Sequence, residues 1–400
     1  MKIAGVIAEY DPFHNGHRYH LSETRRITGA DCIIAVISGC FTQRGSKSLF
    51  SPCDRARMAL EGGADLVVEL PFIYACNSAG EFASGGIGIL GGMGADVVSF
   101  GCENADPNEL DRVSGAMLDS ECSDEFRRLF QAEISKGISQ PEAYTAAFGG
   151  LYGSDAAGII RKPNNLLACE YIKAIKKSGY RMGTVPVERR SSRHNDEFSS
   201  SSAIRNCVLD GSGSVCIEDL VPASSFGYFK DIDGIRDSYG KINSGLFGMI
   251  RYRLVVCSDH LGEIYSAGEG IEHRLAKFAE AAGDLGSFTD AVKTRRYTYA
   301  RVSRLLCYVL INLKKRDFEE LRGTYYARIL GFSDKGRDYL KMCRGRISIP
   351  VLSNLRRIDS LDQNVRRVLE YDIRAEKLIQ LAEDRMGSTG DWKKFVPFAV

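Results

Sequence analysis

Ile3-Ala4-Gly5-Val6-Ile7-Ala8-Glu9-Tyr10-Asp11-Pro12-Phe13-His14-Asn15-Gly16-His17 lies near the N-terminus, and its reading decides the fold. The apolar run Ile3–Ala8 has the length and composition of a buried β-strand. Asp11-Pro12 forces the chain out of it, because a residue before proline is kept from helical backbone. From His17 to Thr28 the pattern turns helical, closed by Gly29, which adopts a left-handed cap without a Cβ penalty. His14 and His17 therefore stand where a strand ends and a helix begins. That helix end carries unpaired N–H groups and partial positive charge, which suit a phosphate, and the small Gly16 admits close approach of a ligand. The expected ligand is a nucleotide. A plain surface pair of histidines or a metal pair is the competing reading. The strand–turn–helix context favours phosphate, and no Cys/His cluster nearby supplies further metal ligands.

Outward from this stretch, strand-like and helix-like segments alternate over the first two hundred residues. Strands are expected at Ile3–Ala8, Cys32–Ser38, Leu66–Glu69, Val97–Phe100 and Met182–Val187, with helices over His17–Thr28, Ser51–Gly62, Ala79–Leu90 and Asn164–Lys177. Short β-branched runs separated by helices imply an α/β fold with a Rossmann-like parallel sheet. Such sheets gather ligands at the carboxyl ends of their strands. His14, the loop Gly39–Gly45 and Gly101 all follow strands, so one crevice can hold all three.

The composition is that of an ordinary globular protein: 400 residues, 44% apolar and 26% charged, enough for two or three domains. A net charge of +2 implies no global attraction to nucleic acid, so any basic surface is local. No apolar run reaches the roughly 18 residues of a membrane span. Residues 1–8 feed directly into the motif, so no targeting segment is expected and the protein is expected in the cytoplasm, with no membrane role and no obligate protein partner. The 12 cysteines are scattered without a C-x-x-C pair, and most read as small core side chains. Cys40 and Cys102 adjoin the candidate loops, but nothing marks either as a nucleophile.

Further short stretches follow in order: Ser38-Gly39-Cys40-Phe41-Thr42-Gln43-Arg44-Gly45, Ala64-Asp65-Leu66-Val67-Val68-Glu69-Leu70-Pro71, Phe100-Gly101-Cys102-Glu103, Pro163-Asn164-Asn165 and Lys293-Thr294-Arg295-Arg296-Tyr297-Thr298-Tyr299. With the opening motif, this ordered set resembles the bacterial tRNA(Met) cytidine acetate ligase family, within the H-x-G-H nucleotidyltransferase superfamily, over nearly the whole chain. The resemblance implies an ATP-dependent, AMP-forming ligase. Acetate attacks the α-phosphate of ATP, and the N4 amine of the wobble cytidine of elongator tRNA(Met) then attacks the acetyl-adenylate. It implies ATP contacts from Ile7, Ala8, Glu9, Tyr10, Asp11, Pro12, Phe13, His14, Asn15, Gly16, His17, Arg18, Tyr19 and His20, with His14 and His17 catalytic. Gly101, Asn165 (or Asn164), Arg189 (or Arg190), Ser202 and Arg205 are the further ATP positions. Magnesium is expected on the ATP phosphates, with no dedicated metal site of its own. Two rival readings stay open here: an adenylyltransferase acting on a small phosphorylated metabolite, and a tRNA-binding protein without turnover.

The chain departs from the family pattern at three places. Asp11 stands where Asn is usual, which sets a negative charge near phosphates. Ser46-Lys47-Ser48 replaces Glu-Pro-Ala, and Arg190-Ser191-Ser192-Arg193-His194-Asn195-Asp196 lacks the usual glycine-bearing loop.

Ser199–Ser202 followed by Ala203-Ile204-Arg205 reads either as a linker or as a second phosphate-binding helix start. Asp210-Gly211-Ser212-Gly213-Ser214 then marks a boundary, giving an ATP-binding domain over 1–210 and a helical, tRNA-binding domain over 211–400. Helices are expected at Gly268–Ala282, Ser287–Lys293 and Arg301–Leu313. The window 293–316 is basic and contains no acidic residue. Lys293, Arg295, Arg296, Arg301 and Arg304 are the expected tRNA contacts, with Tyr297, Tyr299 and Tyr308 interleaved as stacking groups. A solvated helix face with tyrosines anchoring the core is the alternative.

Overall fold

A computed structural model describes residues 1–189, 200–211, 216–356, 358–384 and 397–400. Five parallel strands form the body of one sheet: β1 (Ile3–Ala8), β2 (Cys32–Ser38), β3 (Leu66–Leu70), β4 (Val97–Cys102) and β5 (Gly183–Glu188). Ile3 to Ala8 pair in register with Cys32 to Ile37, and Ala4 faces Val97 on the other side. The two-residue period of the strands sorts their side chains into two cores. Ile7, Val36 and Val68 point to one face, against Ile87 and Leu90 of the Ala79–Gly92 helix. Val6, Ile33, Ile37 and Val67 point to the other, against Leu21 and Met58. Burial on both faces explains why β1, β2 and β3 read as continuous apolar runs rather than as alternating ones.

The strand order is β5-β4-β1-β2-β3, so the chain leaves β1 toward β2 and later returns to its other side at β4. This switch point opens a crevice beyond the carboxyl ends of β1 and β4. The turn after β1 leads directly into the Asn15–Thr28 helix, which ends on Gly29 with φ 62°, as its sequence demands.

The sheet continues past residue 210. β6 (Ala327–Phe332) pairs antiparallel with β3, and β7 (Val351–Leu352) and β8 (Phe398–Ala399) pair with β6. The C-terminal half is mostly helical, as expected, and these strands add to that reading. Its helices include Ile232–Val256, Tyr299–Ile311 and Gln363–Ala382. We retain a division near residue 210 as a proposal about folding units, with the sheet built from both sides of it. A run of helices absent from the sequence reading, Pro107–Cys122 through Ser154–Ile160, precedes Pro163–Ser178 in the connection from β4 to β5. No helix of the described residues is long and apolar enough to cross a membrane.

Candidate active site

His14 is the N-cap of the Asn15–Thr28 helix, in extended backbone, and His17 is its third residue. The Gly16 N–H donates to His14 Nδ1 at 3.0 Å, and the His14 N–H donates to His17 Nδ1 at 3.3 Å. Two otherwise unpaired helix-end donors are thus satisfied by the two imidazoles, in the manner of a capping box. The consequence is electronic. A neutral imidazole whose Nδ1 accepts must carry its proton on Nε2. Both rings therefore keep Nε2–H as a donor. They stack with centroids 3.7 Å apart, and Tyr10 and Phe13 pack on His17 at 4.7 and 5.6 Å. A Cβ at position 16 would stand 2.8 Å from the His14 ring, so Gly16 serves the histidine as much as any ligand.

Burial holds the histidines neutral. It lowers His14 to about 3 and His20 to about 4, and it carries His17 well below the ordinary range, with Arg189 adding to the effect at all three. His20 Nε2 lies 3.0 Å from Ser99 Oγ on β4, which fixes the second turn of the helix against the sheet.

Asp11 does not stand free beside phosphates. Its Oδ1 accepts from the Leu49 N–H at 2.6 Å, and its Oδ2 lies 3.4 Å from Arg205 Nη1. Arg205 also donates to the Asp11 carbonyl and, at 3.1 Å, to Ser202 Oγ. Ser200 caps the Ser201–Asp210 helix, and Ser201 donates to the Pro12 carbonyl at 3.3 Å. Residues 200–205 are therefore a helix start docked on the motif loop; Ser199 and the 190–196 segment, Arg190 included, lie outside the described residues. Asn15 donates to the Asp219 carbonyl at 2.8 Å, a tie from the motif to the segment beyond. Arg18 is exposed, Tyr19 half-buried, and Pro12 buried.

At the end of β4, Gly101 lies beneath Arg189, whose Cγ would come 3.3 Å from a Cβ there. Arg189 donates to Asn164 Oδ1 at 2.8 Å. Asn165 is fully buried. Its Oδ1 accepts from the Glu103 and Asn104 N–H groups at 2.8 and 3.0 Å, and its Nδ2 has no partner among the described residues. Glu103 in turn accepts from Asn164 Nδ2 and the Asn165 N–H. The asparagine pair thus shapes the turn after β4 and leaves one amide donor unspent.

One residue that the sequence reading passed over organises the crevice. Arg55 is fully buried and donates to the carbonyls of Glu9, Ser38, Gly39 and Phe50. It clamps the end of β1 to the loop after β2. Glu9 reaches the same loop, accepting from the Gln43 N–H at 2.5 Å, and burial raises its carboxyl pKa. Only the tertiary fold gives Arg55 its meaning, because it lies within an unremarkable helix. Lys47, in the altered 46–48 segment, stacks over Tyr239 at 5.0 Å.

The basic window behaves differently from its one-dimensional reading. Arg295, Arg296, Arg301 and Arg304 line one wall of a cleft of about 1560 Å³; Lys293, although exposed, is not part of that wall. The fold supplies the acid that the window lacks: Glu269 lies 3.4 Å from Arg296 and 3.2 Å from Arg301. Tyr297 and Tyr308 are core anchors, with hydroxyls donating to the Glu269 and Cys76 carbonyls, which corrects their reading as stacking groups. Tyr299 alone of the three is exposed. Arg304 Nη1 lies 3.5 Å from the Gln43 carbonyl, so the cleft wall abuts the loop that flanks the crevice.

A family model described as HIGH Nucleotidyl Transferase matches residues 1–391. The chain is 35% identical over 388 residues to the tRNA(Met) cytidine acetate ligase of Caldicellulosiruptor saccharolyticus, covering 94% of this chain and 93% of that one. It is 32% identical over 395 residues to the protein of the same name from Bacillus subtilis, covering 95% and 92%. Its structure matches Thermotoga maritima TmcAL bound with alpha-thio ATP at a TM-score of 0.88 and 30% identity, over 100% of both chains.

Proposed function

The chain belongs to the HIGH nucleotidyl transferases and, among them, to the tRNA(Met) cytidine acetate ligase family, and from that membership we propose that it joins acetate to a cytidine of tRNA(Met) at the expense of ATP. An acetate oxygen attacks the α-phosphorus, pyrophosphate leaves, and acetyl-adenylate forms. The N4 amine of the cytidine attacks the acyl carbon, AMP leaves, and the amine gives up a proton, leaving N4-acetylcytidine. We assign this to the wobble position of elongator tRNA(Met), in the cytoplasm. ATP brings magnesium on its phosphate oxygens; among the described residues no group of three or more His, Cys, Asp or Glu side chains gathers to hold a metal ion.

The observation that carries the reading is the fixed tautomer of His14 and His17. Two neutral imidazoles with Nδ1 already engaged offer two Nε2–H donors to the oxygens of the phosphorus under attack, where negative charge grows. Phosphoryl transfer asks mostly for such positioning and charge stabilisation. Arg189 adds positive charge beside the histidines from the β4 side, and Arg205, with Ser202, holds the motif loop in place. The test is pyrophosphate release from ATP and acetate with and without tRNA, followed by nucleoside mass analysis. A cytidine gaining one acetyl group is expected; ATP binding without acetate-dependent turnover would remove the ligase reading. His17→Ala is expected to abolish pyrophosphate release while tRNA affinity stays near normal, and equal loss of both would contradict the site assignment.

A further inference from the structure

The cleft bounded by Arg295, Arg296, Arg301 and Arg304 has a second wall, and that wall comes from a part of the chain with no assigned role. It is the helical connection between β4 and β5, represented by Lys136, Arg161, Lys173 and Lys177. Among the described residues, nine basic side chains line the cleft against five acidic ones. Several of the cations are already paired, Lys173 with Glu170 at 2.6 Å and Arg322 with Glu81 at 2.6 Å. Arg161 is exposed and has no ion-pair partner among the described residues, and the same holds for Arg295 on the facing wall. Two unspent guanidinium groups thus line the cleft, one from the β4–β5 connection and one from the C-terminal window.

Between the walls the floor is aromatic. The Ala79–Gly92 helix presents Gly85, Gly88 and Gly91 at helical spacing, and a tyrosine lies on each: Tyr74, Tyr325 and Tyr180. A Cβ at position 88 would fall 2.4 Å from the Tyr325 ring, and one at position 91 would fall 2.2 Å from Tyr180. The glycines therefore let the rings lie against helix backbone. Tyr74 is buried, whereas Tyr180 and Tyr325 are half-buried and line the cleft. Rings held this way, rimmed by cations, offer faces on which unpaired bases stack. A volume of about 1560 Å³ exceeds the roughly 300–1,000 Å³ that enclose a small metabolite. The cleft also meets the crevice: Arg304 touches the Gln43 carbonyl, and the Gln43 N–H donates to Glu9 beside the histidines.

We propose that this cleft holds the single-stranded anticodon loop between two basic walls, with Tyr325 and Tyr180 as the stacking floor and the 42–45 loop as the threshold across which the reacting cytidine reaches the adenylate. The inference rests on the ligase reading above and adds to it the β4–β5 helical connection as half of the RNA site. Charge and aromatic chemistry favour RNA over an acidic protein segment, and unpaired RNA over duplex.

The test compares Arg161→Glu, Arg296→Glu, Tyr325→Ala and Tyr325→Phe in the full chain. The probes are an anticodon stem-loop with a wobble cytidine and a fully paired hairpin of equal length, over a range of salt, with ATP affinity as the check that the nucleotide site stands. Arg161→Glu is expected to weaken stem-loop binding about tenfold and to lower its salt slope by about one. Tyr325→Ala is expected to weaken the stem-loop more than the hairpin, and Tyr325→Phe to restore it, since the ring and not the hydroxyl stacks. If Arg296→Glu weakens binding and Arg161→Glu does not, the two-walled site is overturned while the RNA reading of the C-terminal window stands. If neither does, both fall. Equal binding of stem-loop and hairpin, or failure of Phe to rescue, overturns the stacking floor.

Discussion

Burial keeps His14, His17 and His20 neutral, with the first two pinned through Nδ1, and that has a consequence for stability. Their folded-state pKa values lie below the unfolded value near 6.5, so as pH falls the unfolded chain takes up protons that the folded chain refuses. Stability is therefore full above about pH 6.5 and declines below it, toward pH 3–4, where the folded His14 and His20 rings begin to titrate. His14 and His20 each cost about 1–2 kcal/mol at pH 5 by this linkage, and His17 acts in the same direction. The urea midpoint is expected to drop between pH 7 and 5. His20→Gln should reduce the slope by about 1.4 kcal/mol per pH unit, one proton's worth; an unchanged slope would mean that His20 titrates normally in the folded protein. At this scale the strand–turn–helix that carries the motif was legible, because helix capping acts within four residues of chain. Asp11 was not: the Leu49 N–H and Arg205 that engage it come from 38 and 194 residues away.

Loops joining elements place the crevice against the cleft, and Gly45 is a tight joint between them. Its φ is +82°, and a Cβ there would stand 2.4 Å from the Arg304 backbone nitrogen in the Tyr299–Ile311 helix. Gly45→Ala must both strain its own backbone and push a helix away, so a loss of about 3 kcal/mol or more is expected. Gly29→Ala, at φ +62° with open space around it, is expected to lose only about 1 kcal/mol. Matching thermal midpoints for the two variants would disprove the Gly45 contact. β1, β2 and β3 were legible as elements because burial on both faces makes each one a short apolar run, whereas β5, at the sheet edge, was marked only by its β-branched residues. β6 was not legible. Its run Ala327–Phe332 includes Arg328, a residue that argues against a buried strand until its partners are in place.

Those partners tie the molecule together. Arg328 Nη1 lies 2.8 Å from Glu69 on β3 and 2.5 Å from Glu376 on the Gln363–Ala382 helix, with the Arg328 and Glu69 side chains both buried. Asp372, one turn away, accepts from the Phe72 N–H and the Tyr326 hydroxyl. A Cβ at Gly39 would meet Glu69 Oε1, so the network lies directly beneath the loop that flanks the crevice. Arg328→Ala leaves two carboxylates without their cation and is expected to cost about 3–5 kcal/mol. Replacing Arg328, Glu69 and Glu376 together by apolar residues should recover much of that stability, because no buried charge is then left unpaired. Denaturant midpoints decide it: a triple variant no more stable than the single one would mean that the ion pairs are net stabilising.

Whatever acts between neighbours along the chain was readable without coordinates: the strand–turn–helix that presents His14 and His17, the parallel sheet, and the stop at Gly29. The tertiary structure alone decided the rest, because charge balance and burial are sums over residues distant in sequence. It gave Arg296 and Arg301 their Glu269, withdrew Tyr297 and Tyr308 into the core, and set Tyr180 and Tyr325 on a glycine face of a helix far from either in the chain. It also brought Arg161 into the same cleft as the C-terminal arginines.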